Sequence, residues 1–457
     1  MQRFARYVLW LSIGAPAVLS AQGFGVYEHS GCAMARAGTA AASPCNDGSA
    51  IFFNPAGLAG ITGTHASLGA TLIRPGGGFT RDFTGVTTDA PSQSYLVPNV
   101  FLSHRLNENT GVGIGVYAPY GLGTKWPSDQ SFEGRFLGYK TSLKSIYIQP
   151  TIGYTLSDRL KVGIGVAYIH STVELHQRAD LSTQVVPSAS LPPGTTFAAL
   201  GVPAYTDFAD AALDASGNGV AFNFGLILKL SDQLSIGGHW LSRETINYDG
   251  TATFTPVPTG LTLAPGNALG LPGGTPVDNL VAGKFLPDSA LSSGAATTSI
   301  TMPPQGSIGL TWKPRDNWTF LADYQMVVWG WFSSLTLDFA NPYSPDLALA
   351  EGYRDTHGFR FGTEYQYSPK LTLRGGYLYH TAAAPPQTVT PLLPEGARNE
   401  LTFGLGVNLN DKLHADFAGQ YIKQNDRRGR VNDAVIGNTG LYTFHALLLG
   451  AGLVYTF

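Results

Sequence analysis

Five ionisable side chains, Asp323, Arg360, Glu364, Arg374 and Glu400, fall at one parity in consecutive stretches of alternating polarity. In extended chain they therefore project to the same side. Opposite charges on neighbouring strands form an ion-pair belt, which is the structural use of such a set. The chemical use would be ligand recognition, because a guanidinium can grip a carboxylate through two hydrogen bonds. Arg243, Arg360 and Arg374 are the candidates for that role. His239, His380 and His414 share the inward parity and read as solvated residues rather than catalytic ones. A hydrolase would set a Ser nucleophile beside a His base, yet no Gly-x-Ser-x-Gly elbow is present. No cofactor or metal set is legible either, and a net charge of −3 argues against a nucleic-acid partner.

The elements that would position these groups are strands. No uninterrupted apolar run of about 18 residues follows the amino-terminal region, so no helix there is expected to cross a bilayer. Alternating segments instead recur near 66–75, 94–106, 110–119, 143–156, 159–176, 219–231, 233–250, 299–313, 316–328, 355–368, 370–381, 399–410, 412–424 and 441–457. They number about fourteen, an even count of the kind bacterial barrels use. In the clearest, Leu401, Phe403, Leu405, Val407 and Leu409 alternate with Thr402, Gly404, Gly406 and Asn408. Short turns such as Ser157-Asp158, Ser231-Asp232 and Asn410-Asp411 suit the periplasmic side. Long apolar loops near 177–218, 251–298 and 329–354 fall on the other side. Those loops either pack together as a lid or present a groove for a hydrophobic ligand. Composition agrees: 56 Gly, 13% charged residues and a mean hydropathy of +0.03 average two faces of opposite character.

Both ends of the chain point to export. Arg3 and Arg6 precede an apolar run, Tyr7 to Leu19, too short to span, followed by Ser20 and Ala21. Residues 1–21 are expected to be a signal peptide, cleaved after Ala21 or after Ser20. At the other end Leu447, Leu449, Ala451, Leu453, Tyr455 and Phe457 share one face of a strand. A terminal Phe with Tyr two places before it resembles the signal by which the barrel assembly machinery recognises bacterial outer-membrane barrels. The fold class is then an all-β membrane protein, a transmembrane barrel over 65–457.

Between the signal and the first strand, 22–64 has no barrel alternation and is long enough to plug a lumen. It holds Glu28, Ser30, the run Ala35-Arg36-Ala37-Gly38, and Asn54-Pro55-Ala56. In this order, ahead of about fourteen strands, the residues resemble the hatch of the FadL family of outer-membrane transporters. The resemblance implies a monomeric fourteen-stranded barrel with an amino-terminal hatch, integral to the outer membrane among its lipids and lipopolysaccharide. It would passively carry long-chain fatty acids or hydrocarbons. Cargo would be caught by the extracellular loops, held in a pocket against the hatch and released sideways through a gap made by a kink in the third strand. In that strand Gly113 and Gly115 leave space, Pro119 cannot join a ladder, and Gly121 follows; Pro119 could equally mark the strand end. A water-filled general porin is the alternative, with an outer-membrane phospholipase behind it. Cys32 and Cys45, the only cysteines, both lie in the hatch, and export favours a disulfide over free thiols. They make a poor metal site, since His29 nearby completes no ligand set.

Overall fold

The computed structural model describes residues 23–188, 190–430 and 439–457; the expected signal peptide lies outside them. Fourteen antiparallel strands close into a barrel. They are β1 (Thr64–Arg81), β2 (Tyr95–Arg105), β3 (Thr110–Lys125), β4 (Lys140–Thr155), β5 (Leu160–Asp180), β6 (Asp207–Lys229), β7 (Leu234–Leu241 and Glu244–Pro256), β8 (Gly294–Met302 and Gln305–Arg315), β9 (Trp318–Val327), β10 (Thr356–Ser368), β11 (Leu371–His380), β12 (Arg398–Asn408), β13 (Leu413–Gln424) and β14 (Gly440–Thr456). Closure comes from β14 pairing with β1, with Tyr455 opposite Ala66 and Leu449 opposite Leu72. A closed sheet satisfies every ladder group internally, which hydrocarbon demands.

Alternation decides which face is which. Leu401 is 61% exposed on the outside while its neighbour Thr402 is 6% exposed within. Several strands run further outward than their apolar alternation does. β1 reaches Arg81, β5 reaches Asp180 and β6 starts at Asp207. Above the lipid belt both faces of a strand can be polar, so pairing continues after the sequence pattern fades. The loops shrink accordingly to 181–206 and 257–293. The third carries a hairpin of Ser334–Phe339 with Leu347–Ala350.

Two strands are broken. β7 stops pairing at Ser242-Arg243, opposite Pro303-Pro304 of β8. Proline has no N–H to offer a ladder, so two in succession interrupt it. The break reverses parity: Gly237, His239 and Leu241 face inward before it, Ile246 and Tyr248 after it.

Candidate functional site

The lumen is filled by residues 23–63, built around two short helices, α1 (Gly31–Ala35) and α2 (Ala50–Phe53), and a 3-10 turn at Pro55–Gly60. Each of the hatch residues nominated from sequence makes a fastening. Ser30 caps α1 by accepting from the Ala33 amide at 3.1 Å, and its hydroxyl donates to Asp47. Glu28 accepts from Gln420 Nε2 at 3.1 Å, and its carbonyl accepts from Thr71 at 3.0 Å. Asn54 is the densest: Nδ2 donates to the carbonyls of Ala41 at 2.5 Å and Leu226 at 2.9 Å, while Oδ1 accepts from Ala56 N–H at 3.1 Å. Pro55 then starts the 3-10 turn, where its missing N–H costs nothing. Cys32 and Cys45 are joined by a disulfide, with Cα atoms 6.3 Å apart, that ties α1 to the loop after it.

Such a plug fits because the inner wall gives way at hatch height. A Cβ on Gly163 would lie 2.3 Å from the Pro55 backbone, on Gly225 2.1 Å from Asn54 Oδ1, and on Gly237 2.2 Å from the Ala41 carbonyl. A side chain at any of these positions would push the hatch off the wall. Gly113 and Gly115 belong with them: their Cβ atoms would meet Ile51 of α2 at 2.9 and 3.0 Å. Both still pair with β2, opposite Ser103 and Phe101. They make room for the hatch and do not open the wall.

The ladder between β2 and β3 stops just above them. Pairing between β2 and β3 ends at Val100 and Val116, although both strands continue. A bulge between Tyr117 and Tyr120 bends β3 at Ala118-Pro119. The free edge is taken by the start of the hatch. Val26 N–H donates to the Pro119 carbonyl and Gly121 N–H to the Phe24 carbonyl, both at 2.9 Å. Phe24 fits among Trp329, Phe332 and Tyr120, at ring distances of 4.6, 5.5 and 6.1 Å. Tyr117, Phe101, Tyr147 and Phe52 continue this packed aromatic cluster down to α2. Phenol groups that would make it polar are engaged: Tyr117 donates to Gln149, and Tyr120 donates to the Pro303 carbonyl at 2.6 Å. Burial pushes the His29 imidazole down to about 3, so it stays neutral beside Phe52 and Tyr117.

The inward charges serve the hatch. Asp323 accepts from the Ala40 and Ala41 amides at 2.9 and 3.0 Å. Arg360 is buried, bonds Gln325 and the Gly38 carbonyl, and lies 4.5 Å over the Tyr27 ring. Arg374 is held by Glu364 at 2.6 Å and Asp416 at 2.5 Å, with Arg36 3.7 Å from Glu364. It lines a polar recess of about 470 Å³ with Cys32, Cys45, Lys313 and His414, on the side of the short periplasmic turns. Glu400 pairs with Arg398 at 2.9 Å. Arg243 is not in the lumen: it is exposed at the β7 break, its guanidinium stacked 3.8 Å over Trp331. The parity that placed it inward assumed an unbroken strand. His239 and His380 are inward but packed, not solvated, and His414 bonds Asp416 and Asn408. Sequence reading missed Gln149, Asn223, Gln305, Asp416 and Gln420, polar residues that bond the hatch, its neighbours or the inward charges. Inward parity on 412–424 was signal enough for Asp416 and Gln420.

Outside, the apolar loops pack on one another. Leu181, Val186 and Phe197 of one loop join Val277 and Val281 of the next in a small core, with Leu261, Leu263 and Leu269 against it. Arg135 locks a neighbouring loop to it through Asp207 at 2.8 Å and the Tyr205 carbonyl at 2.9 Å.

A family model described as outer membrane protein transport protein (OMPP1/FadL/TodX) matches residues 14–457. The long-chain fatty acid transport protein of Escherichia coli is 24% identical over 422 residues, 89% of each chain. A FadL homologue of Pseudomonas aeruginosa matches in structure with a TM-score of 0.79 at 19% identity, covering 95% of this chain and 100% of the other. The toluene transporter TodX of Pseudomonas putida gives 0.69 at 18% identity, covering 95% and 100%. At these identities the two structures speak for the fold alone.

Proposed function

The chain belongs to the outer membrane protein transport family (OMPP1/FadL/TodX) and is an outer-membrane transporter of hydrophobic compounds, and on that premise we propose that its cargo is neutral and leaves sideways through the wall between β2 and β3. The observation that carries the route is the unpaired edge of β3 above Val116, covered by only three hatch residues. Lateral release keeps a hydrophobe in the bilayer and avoids re-exposure to water, which costs roughly 0.8 kcal/mol per methylene. The packed loops at 181–206 and 257–293 are the receiving surface, and the aromatic lining from Phe24 to Phe52 is the passage to the hatch.

Neutral cargo is supported by the engagement of the two inward guanidinium groups nominated for a carboxylate. A carboxylate in the lumen needs a partner, and Arg360 and Arg374 are both engaged with hatch or wall. Relatives bear names for both cargo types, a fatty acid transporter and a toluene transporter. The test is uptake of labelled toluene and labelled oleate by cells in which this chain replaces their own transporters. Faster toluene entry, with no fatty acid retained by the purified barrel, is expected. Stoichiometric retained fatty acid, or uptake of oleate alone, would overturn the neutral-cargo reading.

A further inference from the structure

The seam where the barrel closes carries a set of cations that the transport route does not use. On the outer face of β13, β14 and β1 the register stacks residues in rows. The lowest row is Leu413–Tyr455–Ala66, and the two highest are Tyr421–Leu447–Arg74 and Lys423–His445–Gly76. Tyr421, Leu447, Leu449 and Phe417 below the cations are exposed and apolar. His445 lies ten residues above Tyr455. At about 3.3 Å per residue and a tilt near 40°, that is roughly 25 Å, the height of the apolar band of such barrels. Arg74, Lys423 and His445 are all exposed and stand at its upper edge, level with the head groups of the outer leaflet.

They are also gathered. Lys423 and His445 are direct cross-strand partners. The imidazole leans over β1, where a Cβ on Gly76 would meet its Nε2 at 2.7 Å, one row above Arg74. Among the described residues the acid that faces the set is Asp426, 3.8 Å from Lys423. Among the described residues Arg74 and His445 have no ion-pair partner, and Arg428 above them is taken by Asp82 at 2.5 Å. Elsewhere on the same rim Lys140 is neutralised by Glu174 and Arg178 by Asp210, while Lys144 stands singly, with no second cation beside it on a neighbouring strand among the described residues. Cations on three adjacent strands repel unless an anion lies between them. At this height the anions a membrane offers are lipid phosphates, and the outer leaflet of an outer membrane presents phosphorylated glycolipid.

We propose that Arg74, Lys423 and His445 form a binding site for a glucosamine phosphate of lipid A. Arg74 offers a planar fork, Lys423 a point charge and His445 a ring N–H. The acyl chains lie on Leu447, Leu449, Tyr421 and Phe417. A free phosphate would gain nothing from that apolar face, which is why the glycolipid is the occupant.

The experiment is native mass spectrometry of the full barrel in mild detergent with bisphosphorylated lipid A, fully dephosphorylated lipid A, phosphatidylglycerol and inorganic phosphate as separate probes. Wild type is expected to retain the bisphosphorylated lipid at least tenfold better than the triple variant R74Q/K423Q/H445Q, and at least tenfold better than the dephosphorylated lipid. The charge-preserving R74K/K423R variant should keep most of the binding. Lys144→Gln, a cation on another part of the rim, should not change it. Unaltered heat-modifiable migration shows that each variant is folded. Equal retention by the triple variant, or of the dephosphorylated lipid, overturns the site; binding of phosphatidylglycerol or inorganic phosphate as tight as that of lipid A overturns the choice of glycolipid.

Discussion

Phe24→Ala should release the start of the hatch from the wall. Phe24 is 4% exposed, and three aromatic rings meet it edge-on. Truncating a buried Phe costs roughly 3–5 kcal/mol. What would still hold residues 24–26 is the pair of backbone hydrogen bonds to Pro119 and Gly121, worth about 1 kcal/mol each. Ordering those residues costs about 1–2 kcal/mol apiece, so the variant segment should spend most of its time undocked. A change of about 3 kcal/mol multiplies the undocked population on the order of 10²-fold. Hydrogen exchange at the Val26 and Gly121 amides reads that population directly, and both should lose at least tenfold in protection while amides at the β3–β4 ladder keep theirs. Toluene uptake should rise in parallel, because the edge of β3 stands open. Protection at Gly121 within twofold of wild type would refute the reasoning that Phe24 holds the segment. Lost protection with unchanged uptake would refute the lateral route.

Asn54→Ala leaves the Ala41 and Leu226 carbonyls and the Ala56 amide without their partner. The hatch should lose about 2–4 kcal/mol, visible as earlier protease cleavage within 23–63 on heating. Gly225→Ala and Gly163→Ala place a methyl 2.1 and 2.3 Å from hatch atoms, so the hatch cannot seat; current through planar bilayers should rise well above wild type, whereas Gly283→Ala, which meets nothing within 4 Å, should leave it unchanged. Burial pushes the Glu351 carboxyl in the outer hairpin loop up to about 7, against the pull of Arg430. Since the folded value lies above the unfolded one, its contribution is favourable at acid pH and is lost as pH rises through about 7. Limited proteolysis of 340–346 should therefore quicken from about pH 5 to pH 7 and level off above it, and Glu351→Gln should flatten the profile.

The lipid belt was legible residue by residue because each outward side chain in hydrocarbon must be apolar and each inward one need not be. Strands such as 399–410 and 412–424 follow directly from that. Reach beyond the belt was not legible: β5 and β6 continue in pairing up to Asp180 and from Asp207, where water on one side and loops on the other accept either polarity. The hatch residues were legible as an ordered set, Glu28, Ser30, Arg36, Gly38 and Asn54-Pro55-Ala56, but what each fastens to was not, since the partners lie on strands hundreds of residues away.

What the amino-acid order determined by itself is everything that depends on a period of two: an exported barrel, its two faces, and a non-alternating segment left over to fill it. A period of two holds only while the ladder is unbroken. At Ala118-Pro119, at Ser242-Arg243 and at Pro303-Pro304 the ladder shifts, and beyond each shift the inward set changes from odd to even positions or back. Tyr120 turns inward and Arg243 outward for that reason. The prolines Pro119 and Pro303-Pro304 mark in the sequence where a ladder can fail, but what takes up the freed edge of β3, the start of the hatch at Phe24 and Val26, was settled by contacts distant in sequence, because a backbone that leaves its ladder needs another partner for its hydrogen bonds.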